Sequence, residues 1–176
     1  MRWFILSLSD ALNKLARYAV IAALCIMFLT VMIQVLARYV FSSPPIWTED
    51  IARYMMVWTG LLGATISFKT RTDAVLLDSV FPERPSLLGW FAETVQSVAV
   101  LTFTLPVLYF CFVGLRGGFA KGYLARQAGL TADTLGVQMV WIVSVVPLAM
   151  IVILVHLAAR WADPTGASTS AETEIQ

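Results

Sequence analysis

Four stretches without a single Asp, Glu, Lys or Arg constrain this chain more than any other feature. They hold 20 residues between Arg17 and Arg38, 15 between Arg53 and Lys69, 22 between Glu93 and Arg116, and 26 between Asp133 and Arg160. A helix needs about 20 apolar residues to cross a bilayer, so the spacing predicts an all-α integral membrane protein with four transmembrane helices. Charged residues make up only 13% of the chain, where a soluble domain carries roughly twice that share. A soluble enzyme is thereby excluded. A net charge of +1 without any extended basic run gives no footprint for nucleic acid.

The first apolar stretch, 18–37, is longer than the core of a cleavable leader and ends in no Ala-x-Ala site, so it is read as a permanent span. Ahead of it, Ile5, Leu8, Leu12 and Leu15 recur three and four apart, with Asp10, Asn13, Lys14 and Arg17 on the other side. That pattern makes an N-terminal amphipathic segment, either lying in the membrane plane or leading directly into the span. The span closes on Arg38 and Tyr39, a headgroup-anchoring pair, and Ser42-Ser43-Pro44-Pro45 breaks the helix.

The 15-residue gap that follows covers only about 22 Å as a helix, too short for a core of about 30 Å. The second helix must therefore start upstream, near Pro45 or Ile46, and run over 46–68. This start puts Trp47, Glu49, Asp50 and Arg53 in its first two turns. Glu49 four residues before Arg53 is the favourable order for an ion pair within a helix, which relieves the cost of an arginine near hydrocarbon. Further on, Gly60 with Ala64 and Gly63 with Ser67 form two small-x-x-x-small patterns that favour helix packing in lipid.

Thr72 and Asp73 cap an expected short interfacial helix that Pro82 ends. The third span is expected over 87–115, kinked at Pro106, and the fourth over 135–158, with Pro147 near its middle. Between them, 116–133 reads as a flexible basic connection rich in glycine. Residues 1–162 thus form one membrane domain, and 163–176, rich in Ser, Thr, Ala and Glu, a disordered tail. With the N-terminus inside, seven Lys and Arg (Arg2, Lys14, Arg17, Lys69, Arg71, Arg84, Arg160) lie in inner segments against five outside (Arg38, Arg53, Arg116, Lys121, Arg126). Both termini are therefore placed in the cytoplasm.

Chemistry inside the spans is sparse. The two cysteines, Cys25 and Cys111, sit well inside charge-free gaps and read as packing residues, and the one histidine, His156, reads as an interfacial residue close to Arg160. No catalytic residue, cofactor ligand or metal ligand is assigned. A self-contained transporter carries ionisable groups or broken helices near the midplane. Here the polar Gln34, Gln96 and Gln138 fall near membrane edges. The chain reads as a membrane subunit whose helices support another protein.

Gln34-Val35-x-x-Arg38-Tyr39-x-Phe41, followed by Trp47-x-Glu49-Asp50-x-x-Arg53, Trp58, Gly63 and Asp78, resembles the small permease subunit of tripartite ATP-independent periplasmic (TRAP) transporters. The later Leu135-Gly136-Val137 with Pro147 is similar too, while Ala74 and Gln138 depart from the residues usual in the family. The resemblance implies a sodium-coupled importer of an organic acid in the bacterial inner membrane. It further implies two partners, a large multi-helix permease that carries the substrate and sodium sites and a periplasmic solute-binding protein. This subunit would brace the large one. Arg38, Tyr39, Trp47, Glu49, Asp50, Arg53 and Trp58 then have two readings, as anchors among membrane lipid with a local ion pair, or as part of the joint with a partner. Two other classes stay open: a membrane anchor for a redox or hydrolytic enzyme, and a small transporter assembled from several copies.

Overall fold

The computed structural model describes residues 2–70, 87–114, 118, 121–132 and 134–162. Among these residues six helices follow in order: α1 (Arg2–Tyr39), α2 (Ile46–Thr70), α3 (Leu87–Phe112), α4 (Tyr123–Ala128), α5 (Met139–Val143) and α6 (Val145–Ala162). The described residues form no strand, only one isolated bridge between Thr131 and Gln138. Among the described residues three helical stretches are long and apolar enough to cross a membrane: Trp3–Tyr39, Glu93–Phe112 and Met139–Ala162. The segment expected as an interfacial helix, 72–82, and the tail 163–176 lie outside the described residues.

The amphipathic segment and the first span are one unbroken helix of 38 residues, about 57 Å long at 1.5 Å per residue. Its buried positions are Ser9, Ala16, Ala23 and Thr30, each seven residues from the next. Seven residues make nearly two turns, so these four small side chains form one stripe. Small residues let helix backbones approach closely where lipid gives no hydrophobic drive. The stripe serves α2 and α6, the two helices packed on α1.

Two regions differ from their expected form. The fourth apolar stretch begins at Met139, not 135, because Leu135-Gly136-Val137 is a turn in which Gly136 takes φ +64°. The Ala132 N–H bonds to the Val137 carbonyl at 2.8 Å and that of Met139 to Leu130 at 2.9 Å, closing the turn. A left-handed backbone is where glycine costs least. The stretch is also divided at Ser144 into α5 and α6. Pro147, third residue of α6, has no N–H to donate to the preceding turn, and proline is tolerated best in a helix's first turn. In α3, by contrast, the helix runs through Pro106 to Phe112.

The basic connection is likewise more built than its composition suggests. It contains α4, and the chain folds tightly back before it: a Cβ on Gly122 would stand 2.3 Å from the Phe112 carbonyl oxygen, and one on Gly114 2.6 Å from that of Lys121. Only glycine admits such a backbone approach.

The core is centred on α6, which packs against α1, α2, α3 and α5 and buries Val145, Pro147, Ala149, Met150, Val152, His156, Leu157 and Ala159. α1 and α3 show most of their apolar surface outward, from Phe28 and Leu29 on α1 to Phe103 and Leu105 on α3. Outside a bilayer such surface would be untenable.

Candidate functional site

The polar side chains gather at the two ends of the bundle. At one end, α1 turns into α2. Ser42 takes φ +53°, and the Ser43 N–H returns to the Ala37 carbonyl at 3.1 Å, closing the helix. Pro44 and Pro45 cannot extend it. The Thr48 hydroxyl donates to the Pro45 carbonyl at 2.6 Å from a fully buried position, fixing the first turn of α2. Gln34 and Arg38 of α1 face Ile46 and Glu49 of α2 across an open hollow of about 520 Å³.

Just beyond this first turn, Arg53 donates back to Glu49 at 2.6 Å and lies 3.6 Å from Asp50. Arg53 and Glu49 are 61% and 64% exposed, Asp50 only 20%. The difference has a cause: Asp50 also accepts the Thr134 hydroxyl, which ties α2 to the turn preceding α5. Arg38 makes no ion pair with any described residue. Tyr39 and Ile46 stand 79% and 76% exposed, with Phe41 and Trp47 beside them in sequence and also exposed.

Trp58 lies deeper on α2. Its indole N–H reaches the Ile142 carbonyl at 3.1 Å. Ile142 is in the last turn of α5, and helix ends leave carbonyls without an intrahelical donor. The break between α5 and α6 is thus met by an indole on another helix. The sequence reads Trp58 as a belt or packing residue or as part of a joint with a partner subunit, and carries no signal for the Ile142 carbonyl.

The opposite end joins four helices. Asp10 of α1 meets Lys69 of α2 at 2.5 Å. Ser9 and His156, 2% and 3% exposed, are hydrogen-bonded at 2.8 Å between α1 and α6. Arg160 of α6 donates to Gln96 of α3 at 3.2 Å and stands 4.9 Å over the Phe68 ring, while the Trp161 indole donates to Ser97 at 3.0 Å. His156, expected as an interfacial residue close to Arg160, is a buried contact between helices at this end of the bundle. The sevenfold repeat that begins at Ser9 was the available signal for where α1 packs.

Of the proposed packing residues, Gly60 and Gly63 leave open space, since a Cβ on either would meet nothing within 4 Å. Ala64 is exposed and Ser67 half-buried. Cys111 is buried and Cys25 faces outward. Among the described residues no three His, Cys, Asp or Glu side chains come together as a metal site. Chemically, the arrangement offers two polar collars, one tied within the chain and one largely exposed.

A family model described as "Tripartite ATP-independent periplasmic transporters, DctQ component" matches residues 27–165. The chain is 27% identical over 144 residues to the sialic acid TRAP transporter permease protein SiaT of Haemophilus influenzae (strain 86-028NP), covering 81% of this chain and 22% of that protein. It is 37% identical over 95 residues to a protein of another strain of that species named as a TRAP transporter small permease, covering 52% of this chain and 59% of the relative. The chain thus spans about a fifth of the length of one relative and under two thirds of the other.

Proposed function

The chain belongs to the DctQ component family of tripartite ATP-independent periplasmic transporters, and from that membership we propose that it braces a large permease during sodium-coupled uptake of an organic acid. The observation that carries this reading is the family match over 27–165, which takes in α2 to α6 and the last third of α1. SiaT is named for sialic acid and is several times longer than the matched stretch, which supports an acid as the solute and a large membrane protein as the neighbour. A periplasmic solute-binding protein would be the third component, and the bacterial inner membrane the location.

In this reading α2 is a fourth span. From Asp10 to Arg38 there are 28 helical steps, about 42 Å, close to the roughly 40–45 Å of a bilayer with its headgroups. The Asp10–Lys69 collar would then lie at one surface and the Arg38, Glu49, Asp50 and Arg53 collar at the other. Residues 1–162 form one membrane domain with both termini cytoplasmic, as the seven-to-five distribution of Lys and Arg favours. The exposed Arg38, Tyr39, Trp47, Glu49 and Arg53 suit a periplasmic joint with a partner. Gly60 and Gly63, open within this chain, suit close approach by a helix of the large permease.

Reconstitution in liposomes with a sodium gradient tests the assignment. Uptake of sialic acid or another organic acid is expected only when this chain, the large permease and the binding protein are all present. Sodium-dependent uptake by this chain alone would overturn the bracing role.

A further inference from the structure

α2 and α3 both pack on α6 but scarcely on each other. The space left between them is an open groove of about 410 Å³. Its apolar walls are Ala64 and Phe68 of α2 and Ala99, Val100 and Phe103 of α3, with Ile153 contributed by α6. Ala64, Ala99 and Phe103 are exposed, so the groove faces the surroundings of the bundle, which for these helices is lipid.

One end of the groove is cationic. Phe68 carries the Arg160 guanidinium 4.9 Å above its ring, and Arg160 is held there by Gln96, one turn before Ala99 on α3. A guanidinium has five N–H donors and can bind an anion beside its other partners. The α3 wall of the groove runs from Ala99 to Thr104, and Gln96, which holds Arg160, lies seven helical steps or about 10 Å from Phe103, within the roughly 15 Å of one leaflet's share of the hydrocarbon core. Trp161, bonded to Ser97 at the same level, is the residue type that marks that interface.

We propose that this groove holds one acyl chain of a phospholipid whose phosphate rests against Arg160. The slot calls for hydrocarbon and its mouth calls for an anion, and a phospholipid carries both in one molecule at this separation. A helix of a partner subunit would bring the hydrocarbon without the phosphate. The bound lipid replaces the contact that α2 and α3 do not make, so it acts as a wedge between them.

The test uses the full chain reconstituted in nanodiscs of phosphatidylethanolamine and phosphatidylglycerol, released into detergent and weighed by native mass spectrometry. One retained phospholipid per chain is expected. Ala99→Trp, which fills the slot, and Arg160→Gln should each lower the retained fraction about tenfold, the factor that corresponds to 1.4 kcal/mol. Arg160→Lys should keep most of it, and Ala22→Trp on the exposed side of α1 should leave it unchanged. Ala64→Leu, on the other wall, gives the same reading if the tryptophan variant does not fold. Equal retention by the wild type, Ala99→Trp and Arg160→Gln would overturn the proposal. So would a wild type without bound phospholipid, or crosslinking of Ala99→Cys to another protein in intact membranes.

Discussion

Ser9 and His156 offer a direct measure of what ties α1 to the centre of the bundle. Both are almost fully buried and 2.8 Å apart, and the His156 Nε2 has no hydrogen-bond partner. Ser9→Ala removes one oxygen with almost no change in packing, but it leaves Nδ1 without a partner as well. A buried polar atom left unpaired costs about 1–3 kcal/mol. Interhelical hydrogen bonds in membrane proteins couple more weakly, about 0.6 kcal/mol on average and 1.7 at most, because the unfolded helices find other partners in lipid. Ser9→Ala should therefore destabilise by about 1 kcal/mol. His156→Leu, near histidine in volume, removes the unpaired nitrogens along with the bond. In the double variant the serine change should cost almost nothing. The assay is reversible unfolding in mixed micelles across the four members of the cycle, with a coupling energy between about 0.6 and 1.7 kcal/mol expected. Additivity within about 0.3 kcal/mol would refute the contact as an energetic link.

Three further outcomes are expected. The exposed Glu49–Arg53 pair should couple by only about 0.3–0.5 kcal/mol in the isolated chain, since Asp50 remains near Arg53 after Glu49→Ala; a larger coupling in the complex with the permease would place the pair in a joint, and an equal one would leave it at the surface. Gly122→Ala should destabilise by about 1–3 kcal/mol, as over-packing does, because the new Cβ meets a backbone oxygen at 2.3 Å; an unchanged melting temperature would contradict the close return of the chain. With Cys25 and Cys111 replaced by serine, Ser7→Cys and Ala125→Cys should label with a membrane-impermeant maleimide from opposite faces, and labelling from the same face would refute the three crossings proposed between them.

How much could be read beforehand depended on whether the cause was local. The charge-free stretches correspond to helices because a chain that carries no charge for 20 residues has few other ways to satisfy its backbone in lipid. The start of α2 was legible from Pro44 and Pro45, and the Glu49–Arg53 spacing from helical geometry alone. The merging of the amphipathic segment with α1 was one of two readings that the periodicity allowed. Gly136 and Pro147 both announce a break, but only the turn around Gly136 and the division at Ser144 say where the helices begin and end. Contacts between distant segments had no local cause. His156 finds Ser9 across 147 positions and Trp58 finds Ile142 across 84, and neither partner has a composition that marks it. The small-x-x-x-small pairs on α2 drew notice, while the sevenfold stripe from Ser9 to Thr30, which the fold uses, escaped it because Ser, Ala and Thr are unremarkable in an apolar helix.

The polar opening of α2 bears on how the protein is made. Asp, Lys and Arg oppose helix insertion by about 2.5–3.5 kcal/mol each at the centre of a segment, and less toward its ends. α2 carries Glu49, Asp50, Arg53 and Lys69, whereas α1 contains an 18-residue window with mean hydropathy 2.7. Only residues 40–45 separate the two helices. During synthesis α1 would enter the bilayer first, on its own apolarity, and α2 would follow within a few seconds of translation as the second arm of a hairpin. In the proposed four-span arrangement Lys69 would meet Asp10 only after that arm had crossed, and the ion pair would serve as the latch of a completed insertion. Lengthening the 40–45 turn should therefore impair delivery of α2 to the membrane before it affects the stability of the finished bundle.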